Sequence, residues 1–143
     1  MKKIEAKIVA DSISSKGHRI TTYLLTYPRF IHSELMTHRM FSRNSASSRA
    51  IPFEKMVKMI KEDPFIPIAW QKDHKGMQGT EYWNDEDIYP ILGNSYSISA
   101  KVHFRNEWLA ARDYAILSAN HMSAMKLTKQ LCNRLLEPFM WHT

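Results

Sequence analysis

Residues 4–41 read IEAKIVADSISSKGHRITTYLLTYPRFIHSELMTHRMF, and the change of hydrophobic period inside this stretch decides the fold class. Ile4, Ala6, Ile8 and Ala10 alternate with Glu5, Lys7 and Val9, mostly with a period of two, so the spacing predicts a half-buried strand. Ser14-Ser15-Lys16-Gly17 is a turn signal. The Ile-, Thr-, Tyr- and Leu-rich run from Arg19 to Tyr27 then completes a hairpin. Pro28 suits the first turn of a helix, after which Phe30, Ile31, Leu35, Met36, Met40 and Phe41 recur near helical spacing. This helix is expected to end near Ser42 to Asn44.

Working outward, Phe53 to Glu62 reads as a second short helix stopped by Asp63-Pro64. Residues 64–85 carry two prolines, two glycines and two tryptophans without either regular period, which describes a long loop. Loops of that length are usually functional or covered by a partner, with a plain surface excursion as the alternative. Within it, Gly76-Met77-Gln78-Gly79 reads either as a turn or as backbone presented to a ligand. From about Asp85 the pattern becomes helical, with Pro90 and Gly93 delaying the regular part until near Asn94. Phe104, Trp108, Ala111, Ala115 and Met122 fall on one stripe, read as core or subunit seam. A further helix from Ser123 to Leu136 places Met125, Leu127, Leu131, Leu135 and Leu136 on an apolar side, with Glu137-Pro138 ending it. Phe139 to Thr143 reads as the opening of a strand. No repeat or linker divides the chain, so residues 1–143 are expected to form a single domain. The fold class is α/β in the broad sense, more narrowly α+β: N-terminal antiparallel strands packed with several helices. A Rossmann arrangement is not expected, because no strand-to-helix glycine fingerprint is present.

Composition narrows the function classes. A 143-residue chain with 44% hydrophobic and 11% aromatic residues can bury a genuine core. Its net charge of +6 favours an anionic partner: nucleotide, flavin phosphate, RNA or membrane surface. A single cysteine, Cys132, excludes an intrachain disulfide framework. No apolar run approaches the roughly 20 residues needed to span a bilayer, and the charged N-terminus does not read as a signal peptide, so a cytoplasmic protein without membrane partners is expected. The seven histidines form no zinc-helix pair, and no metal site is expected.

The chemistry-bearing stretch is residues 37–52, THRMFSRNSASSRAIP. Arg39, Arg43, Arg49, His38, Asn44, Ser42, Ser45, Ser47 and Ser48 lie there with no carboxylate among them. Guanidinium forks bind phosphate oxygens bidentately, and hydroxyl and backbone donors fill the remaining lone pairs. The stretch therefore reads as an anionic-ligand site, the plain alternative being a solvated helix-ending loop.

The same stretch resembles the signature of the flavin-dependent thymidylate synthases: Arg-His-Arg, two residues, Ser, one residue, Asn-Glu, one residue, Ser, one residue, Arg. His38, Arg39, Ser42, Asn44, Ser47 and Arg49 fall at matching positions. Thr37 stands where the family has its first Arg, and Ser45 where it has Glu. The likeness continues through Pro28 and the run after it, and again in NRLLEPF at 133–139. The resemblance implies a methyltransferase that converts dUMP to dTMP, with methylenetetrahydrofolate as one-carbon donor, FAD as cofactor and NADPH as its reductant. It implies that Ser47 and Arg49 bind the dUMP phosphate with help from the backbone at Ser48, and that Glu34 lies near the pyrimidine. By the same likeness His38, Arg39, Ser42 and Asn44 face FAD, and a homotetramer assembles FAD sites from several subunits. Members of the family carry a further segment after the position of Thr143, so the likeness also implies a C-terminally abbreviated chain.

This route needs no enzyme cysteine, and Cys132 sits in an apolar helical pattern where it reads as an inert core thiol. Two rivals stand beside it. One is a basic single-stranded nucleic-acid-binding module, with Arg39, Arg43, Arg49, Lys55 and Lys58 on phosphates and Trp70, Trp83 or Tyr82 stacking bases. The other is a catalytically inactive relative that only binds nucleotide or flavin.

Overall fold

The computed structural model describes residues 2–90 and 97–143; the expected helix start near Asn94, and the role given to Gly93, lie outside them. In chain order the regular elements are strands β1 (Glu5–Ile13) and β2 (Arg19–Pro28), helices α1 (His32–Thr37) and α2 (Phe53–Glu62), strands β3 (Ile88–Pro90) and β4 (Ser97–Ser99), helices α3 (Ala100–Ala124) and α4 (Lys129–Cys132), and strand β5 (Trp141–His142). Three tighter 3-10 segments, Arg29–Ile31, Ser48–Ala50 and Asn133–Phe139, connect them. The chain divides into two compact units, Met1–Phe65 with Ala115–Thr143, and Ile66–Tyr114.

The first unit has the α+β character expected from residues 4–41. β1 and β2 pair antiparallel from Glu5 opposite Thr26 to Ile13 opposite Arg19, with an irregularity between Ile8 and Ala10. The Ser14–His18 turn closes the hairpin: Ser14 N–H donates to His18 C=O at 2.8 Å and Gly17 N–H to Ser14 C=O at 2.9 Å. Gly17 takes φ +81°, a conformation that costs a residue with a Cβ. β5 adds to β2 on the other side, Tyr27 opposite His142 and Pro28 opposite Trp141, so the strand expected after Phe139 is present. The half-buried strand is corrected, however. Every residue of β1 is exposed, including Ile8 at 54% and Ile13 at 69%.

The core of this unit lies at the near end of the sheet. α2, which begins and ends where the sequence places it, buries Phe53, Met56 and Ile60, spaced three and four apart as one helical face requires. The same unit buries Ile116 and Ala119 of α3, Cys132, and Leu136, Phe139, Met140 and Trp141 from the C-terminal segment. Phe65 joins this end, edge-on to Trp141 at 5.2 Å and to Phe30 at 5.4 Å between ring centroids. Its N–H donates to Phe139 C=O at 2.9 Å, and Arg29 N–H donates to Met140 C=O at 2.8 Å. These backbone bonds tie both ends of the unit's chain together.

Two expected helices are redrawn. Pro28 is the last residue of β2 rather than the first of a helix, and α1 spans only His32–Thr37, so Met40 and Phe41 fall beyond it, exposed. The continuous helix from Ser123 to Leu136 is instead broken: α3 runs to Ala124, Lys126 turns at φ +65°, and Thr128 caps α4 by accepting from Gln130 N–H. Asn133–Phe139 then tightens into 3-10 geometry with Pro138 inside it. Consequently Met125, Leu127, Leu131 and Leu135 are exposed and only Leu136 of that expected side is buried.

In the second unit the long loop closes on itself as an irregular hairpin. Gln71 bridges Tyr82, Lys72 N–H donates to Glu81 C=O at 2.9 Å, and Trp83 N–H donates to Trp70 C=O at 2.8 Å. Gly76 provides the turn at φ +92°, while Gly79 lies directly beneath the Gln71 and His74 side chains, where a Cβ would collide. Trp70 packs on Phe104 at 5.7 Å and Trp108 at 6.5 Å, and Trp83 on Phe104 at 5.6 Å. β3 and β4 pair antiparallel where helix was expected from Asp85, and the described part of α3 begins at Ala100, whose N–H donates to Asp87 C=O at 2.8 Å.

Candidate functional site

The donor-rich stretch leaves α1 and runs as irregular, exposed chain until the 3-10 turn at Ser48–Ala50. Its start is fixed by local bonds. The Thr37 hydroxyl donates to Glu34 C=O at 2.7 Å, and Arg43 Nη1 folds back to the carbonyls of Leu35, Met36 and His38 at 3.3, 2.8 and 2.5 Å. A cation on the orphan carbonyls of a helix end is favourable for both hydrogen bonding and the local dipole. Arg43 is therefore occupied in ending α1 while it remains exposed.

The remaining expected site residues are placed as follows. His38, Arg39, Ser42, Asn44, Ser47 and Arg49 are exposed. His38 leans on the Phe41 ring with centroids 6.4 Å apart. Neither Arg39 nor Arg49 has an ion-pair partner among the described residues. Glu34 is exposed and accepts from the Ser33 hydroxyl at 3.0 Å. Ser45 Oγ lies 3.4 Å from His32 Nε2. Ser48 differs from its neighbours: it is 1% exposed, and its hydroxyl donates to Glu137 Oε1.

The turn carrying Ser48 is held from the C-terminal segment. The Asn133 side chain, fully buried, donates from Nδ2 to both Ser48 C=O and Ile51 C=O at 2.9 Å. Lys129 Nζ lies 3.4 Å from Ala50 C=O. Arg134 Nη1 holds both Glu137 oxygens, at 3.0 and 3.1 Å. The sequence reading missed this group. Its one signal was Lys129, Asn133 and Glu137 recurring every four residues within an apolar run, where Asn has no reason to be buried unless its amide is bonded.

Close by in the chain's bonding pattern is a second group, also absent from the sequence reading. Tyr27 OH lies 2.7 Å from His32 Nδ1, and the His32 and His142 rings are 4.7 Å apart. Arg29 Nη1 donates to His142 Nδ1 at 3.3 Å, which requires that nitrogen to be unprotonated. Burial pushes the His142 imidazole down to about 4, the Arg29 cation pushes the same way, and so does His32 once it takes up a proton. His32 is lowered by burial and then by Arg29, and burial raises the Tyr27 hydroxyl. At neutral pH both imidazoles are therefore uncharged, and Arg29 is the fixed cation of the group.

Elsewhere, Cys132 is fully buried with Sγ 3.8 Å from Leu127 C=O, which suits packing and not attack on a ring. Lys72 Nζ sits 4.9 Å above the Trp83 ring, and Trp70 is occupied by aromatic neighbours, which leaves Tyr82 as the exposed ring of the three named for base stacking. An open groove of about 640 Å³ runs beside α2, lined by Phe53, Val57, Lys58, Asn120 and Ser123 among others, and no residue of 37–50 borders it. Among the described residues no group of His, Cys, Asp and Glu is arranged to hold a metal ion, and no helix is long and apolar enough to cross a membrane. Comparison with known protein families, with characterised proteins and with solved structures gives no match.

Proposed function

We propose that this chain is a flavin-dependent thymidylate synthase-like methyltransferase that converts dUMP to dTMP with methylenetetrahydrofolate and FAD, the latter reduced by NADPH. The observation that carries the reading is the six-residue signature match from His38 to Arg49, on an exposed segment whose Arg39 and Arg49 have no carboxylate partner among the described residues. Two uncompensated guanidinium groups among hydroxyls are a donor set suited to phosphates, in a mononucleotide and in a flavin dinucleotide alike.

In this reading Ser47 and Arg49 bind the dUMP phosphate and the N–H at Ser48 assists, since its carbonyl is already held by Asn133. Glu34 lies near the pyrimidine. His38, Arg39, Ser42 and Asn44 would hold FAD, which when reduced supplies the hydride. The work of the chain itself is binding and orientation: fixed donors meet charge without reorganising at the moment of reaction. No nucleophile is assigned, in keeping with the burial of Cys132. A homotetramer belongs to the same proposal. Its support here is the uncovered hairpin, where Ile8, Ile13, Ile20 and Tyr23 are all more than half exposed, a pattern that invites a covering partner.

Purified protein tests the reading against its main rival. Flavin absorption bands that persist through gel filtration, with saturable dUMP binding, support the synthase-like assignment. Colourless protein that binds single-stranded RNA or DNA with steep salt dependence supports a nucleic-acid module instead.

A further inference from the structure

Lys129, Asn133 and Glu137 recur at intervals of four, and all three reach the same turn. Together they engage the carbonyls of Ser48, Ala50 and Ile51 and the hydroxyl of Ser48. The residues on either side of that buried serine, Ser47 and Arg49, remain exposed. A turn gripped by its own carbonyls and by one inward hydroxyl has its backbone fixed, so the points from which the outward side chains leave it are fixed relative to each other as well.

We propose that Asn133 and Glu137 are positioning residues that hold the Ser48–Ala50 turn in the form in which Ser47 and Arg49 converge on a phosphate monoester. The inference rests on reading this segment as the nucleotide site. Preorganisation explains why it matters: a loop that must be ordered on binding spends part of its interaction free energy on that ordering, whereas a held turn does not. Two features of Glu137 suit the role. Its oxygen accepts the Ser48 hydroxyl, and its charge is met by the Arg134 guanidinium, so the carboxylate orients the turn without leaving an uncompensated anion beside an anion site. Asn133 contributes a neutral fork that spans the turn from Ser48 to Ile51.

The test is calorimetric titration of dUMP into the full chain and its variants Ser48→Ala, Glu137→Ala, Glu137→Gln, the double variant of Ser48→Ala with Glu137→Ala, and Arg49→Ala, with melting temperature measured on each. Lowered stability alone leaves the affinity of the folded fraction unchanged, so affinity reports positioning separately from folding. We expect Ser48→Ala and Glu137→Ala each to weaken dUMP about tenfold, the double variant to be no weaker than the worse single one, and Glu137→Gln, which keeps the acceptor oxygen, to bind within about twofold of the parent. Should Glu137→Ala fail to fold, Ser48→Ala, which removes one hydroxyl, carries the comparison. Ser48→Ala and Glu137→Ala binding like the parent while Arg49→Ala loses dUMP would overturn the positioning role and leave the nucleotide site standing. No dUMP binding by the parent chain would overturn the site reading and the inference with it.

Discussion

Ser48 and Arg49 are adjacent in sequence, yet one is closed in the core and the other stands in solvent. That contrast is what a short turn with residues facing in and out produces, and in the proposed site it would separate anchoring by Ser48 from binding by Arg49. Arg49→Ala should weaken dUMP binding roughly tenfold to a hundredfold, from about 1.5–3 kcal/mol for hydrogen bonds to a charged group; unchanged affinity by calorimetry would remove Arg49 from the site. His38, Arg39, Ser42, Asn44, Ser47 and Arg49 stand out in the sequence through their resemblance to the family signature, and all six are exposed in the structure. Their supports were not legible there. Asn133 and Glu137 lie 82 or more positions away from their partners along the chain, and no local pattern reports contacts of that separation.

α2 and the terminal β5 were readable because local chemistry and tertiary packing agree there, and the β1–β2 hairpin because its period-two spacing and turn residues set the pairing without burial. Proline at position 52 precedes α2, Asp63-Pro64 follows it, and its buried residues keep helical spacing. α1 was overestimated for the opposite reason. Met40 and Phe41 continue the apolar rhythm, but Arg43 competes for the last carbonyls and ends the helix at Thr37. Arg43→Ala should therefore fray α1 and cost about 1 kcal/mol, seen as a fall of roughly 3–5 °C in the melting temperature. An unchanged melting temperature would mean that the three carbonyl contacts contribute nothing net. At the hairpin, Gly17→Val should cost about 1–2 kcal/mol, since a β-branched residue is strained at φ +81°; a melt indistinguishable from the parent would contradict that strain. The break at Lys126 escaped the sequence reading because Met125, Leu127 and Leu131 keep a nearly helical period across it.

At the scale of the whole molecule, the buried group around His142 makes stability depend on pH. The folded chain holds His142 near 4, well below the ordinary imidazole value of about 6.5, so the unfolded chain takes up the proton first as pH falls. Stability should be flat above about pH 7, decline between about 6.5 and 4 by as much as 2–3 kcal/mol, and level off below as far as this group is concerned. His32, lowered in the same direction, adds to the slope. His142→Asn should flatten that part of the profile in thermal melts; an unaltered slope would show that other groups set it. The exposed hairpin makes a matching expectation about assembly, namely that light scattering reports a tetramer and that Ile13→Lys with Ile20→Lys lowers the mass; a monomeric parent would leave those side chains without a covering surface.

The central claim is that this chain's exposed arginine- and serine-rich segment serves thymidylate synthesis. Its most direct test is tritium release from dUMP labelled at the pyrimidine position that gains the methyl group, with FAD, NADPH and methylenetetrahydrofolate present. Release that requires all of these components and is lost with Arg49→Ala is the expected result. Absence of release from the flavin-loaded parent, or release that Arg49→Ala leaves untouched, would contradict it.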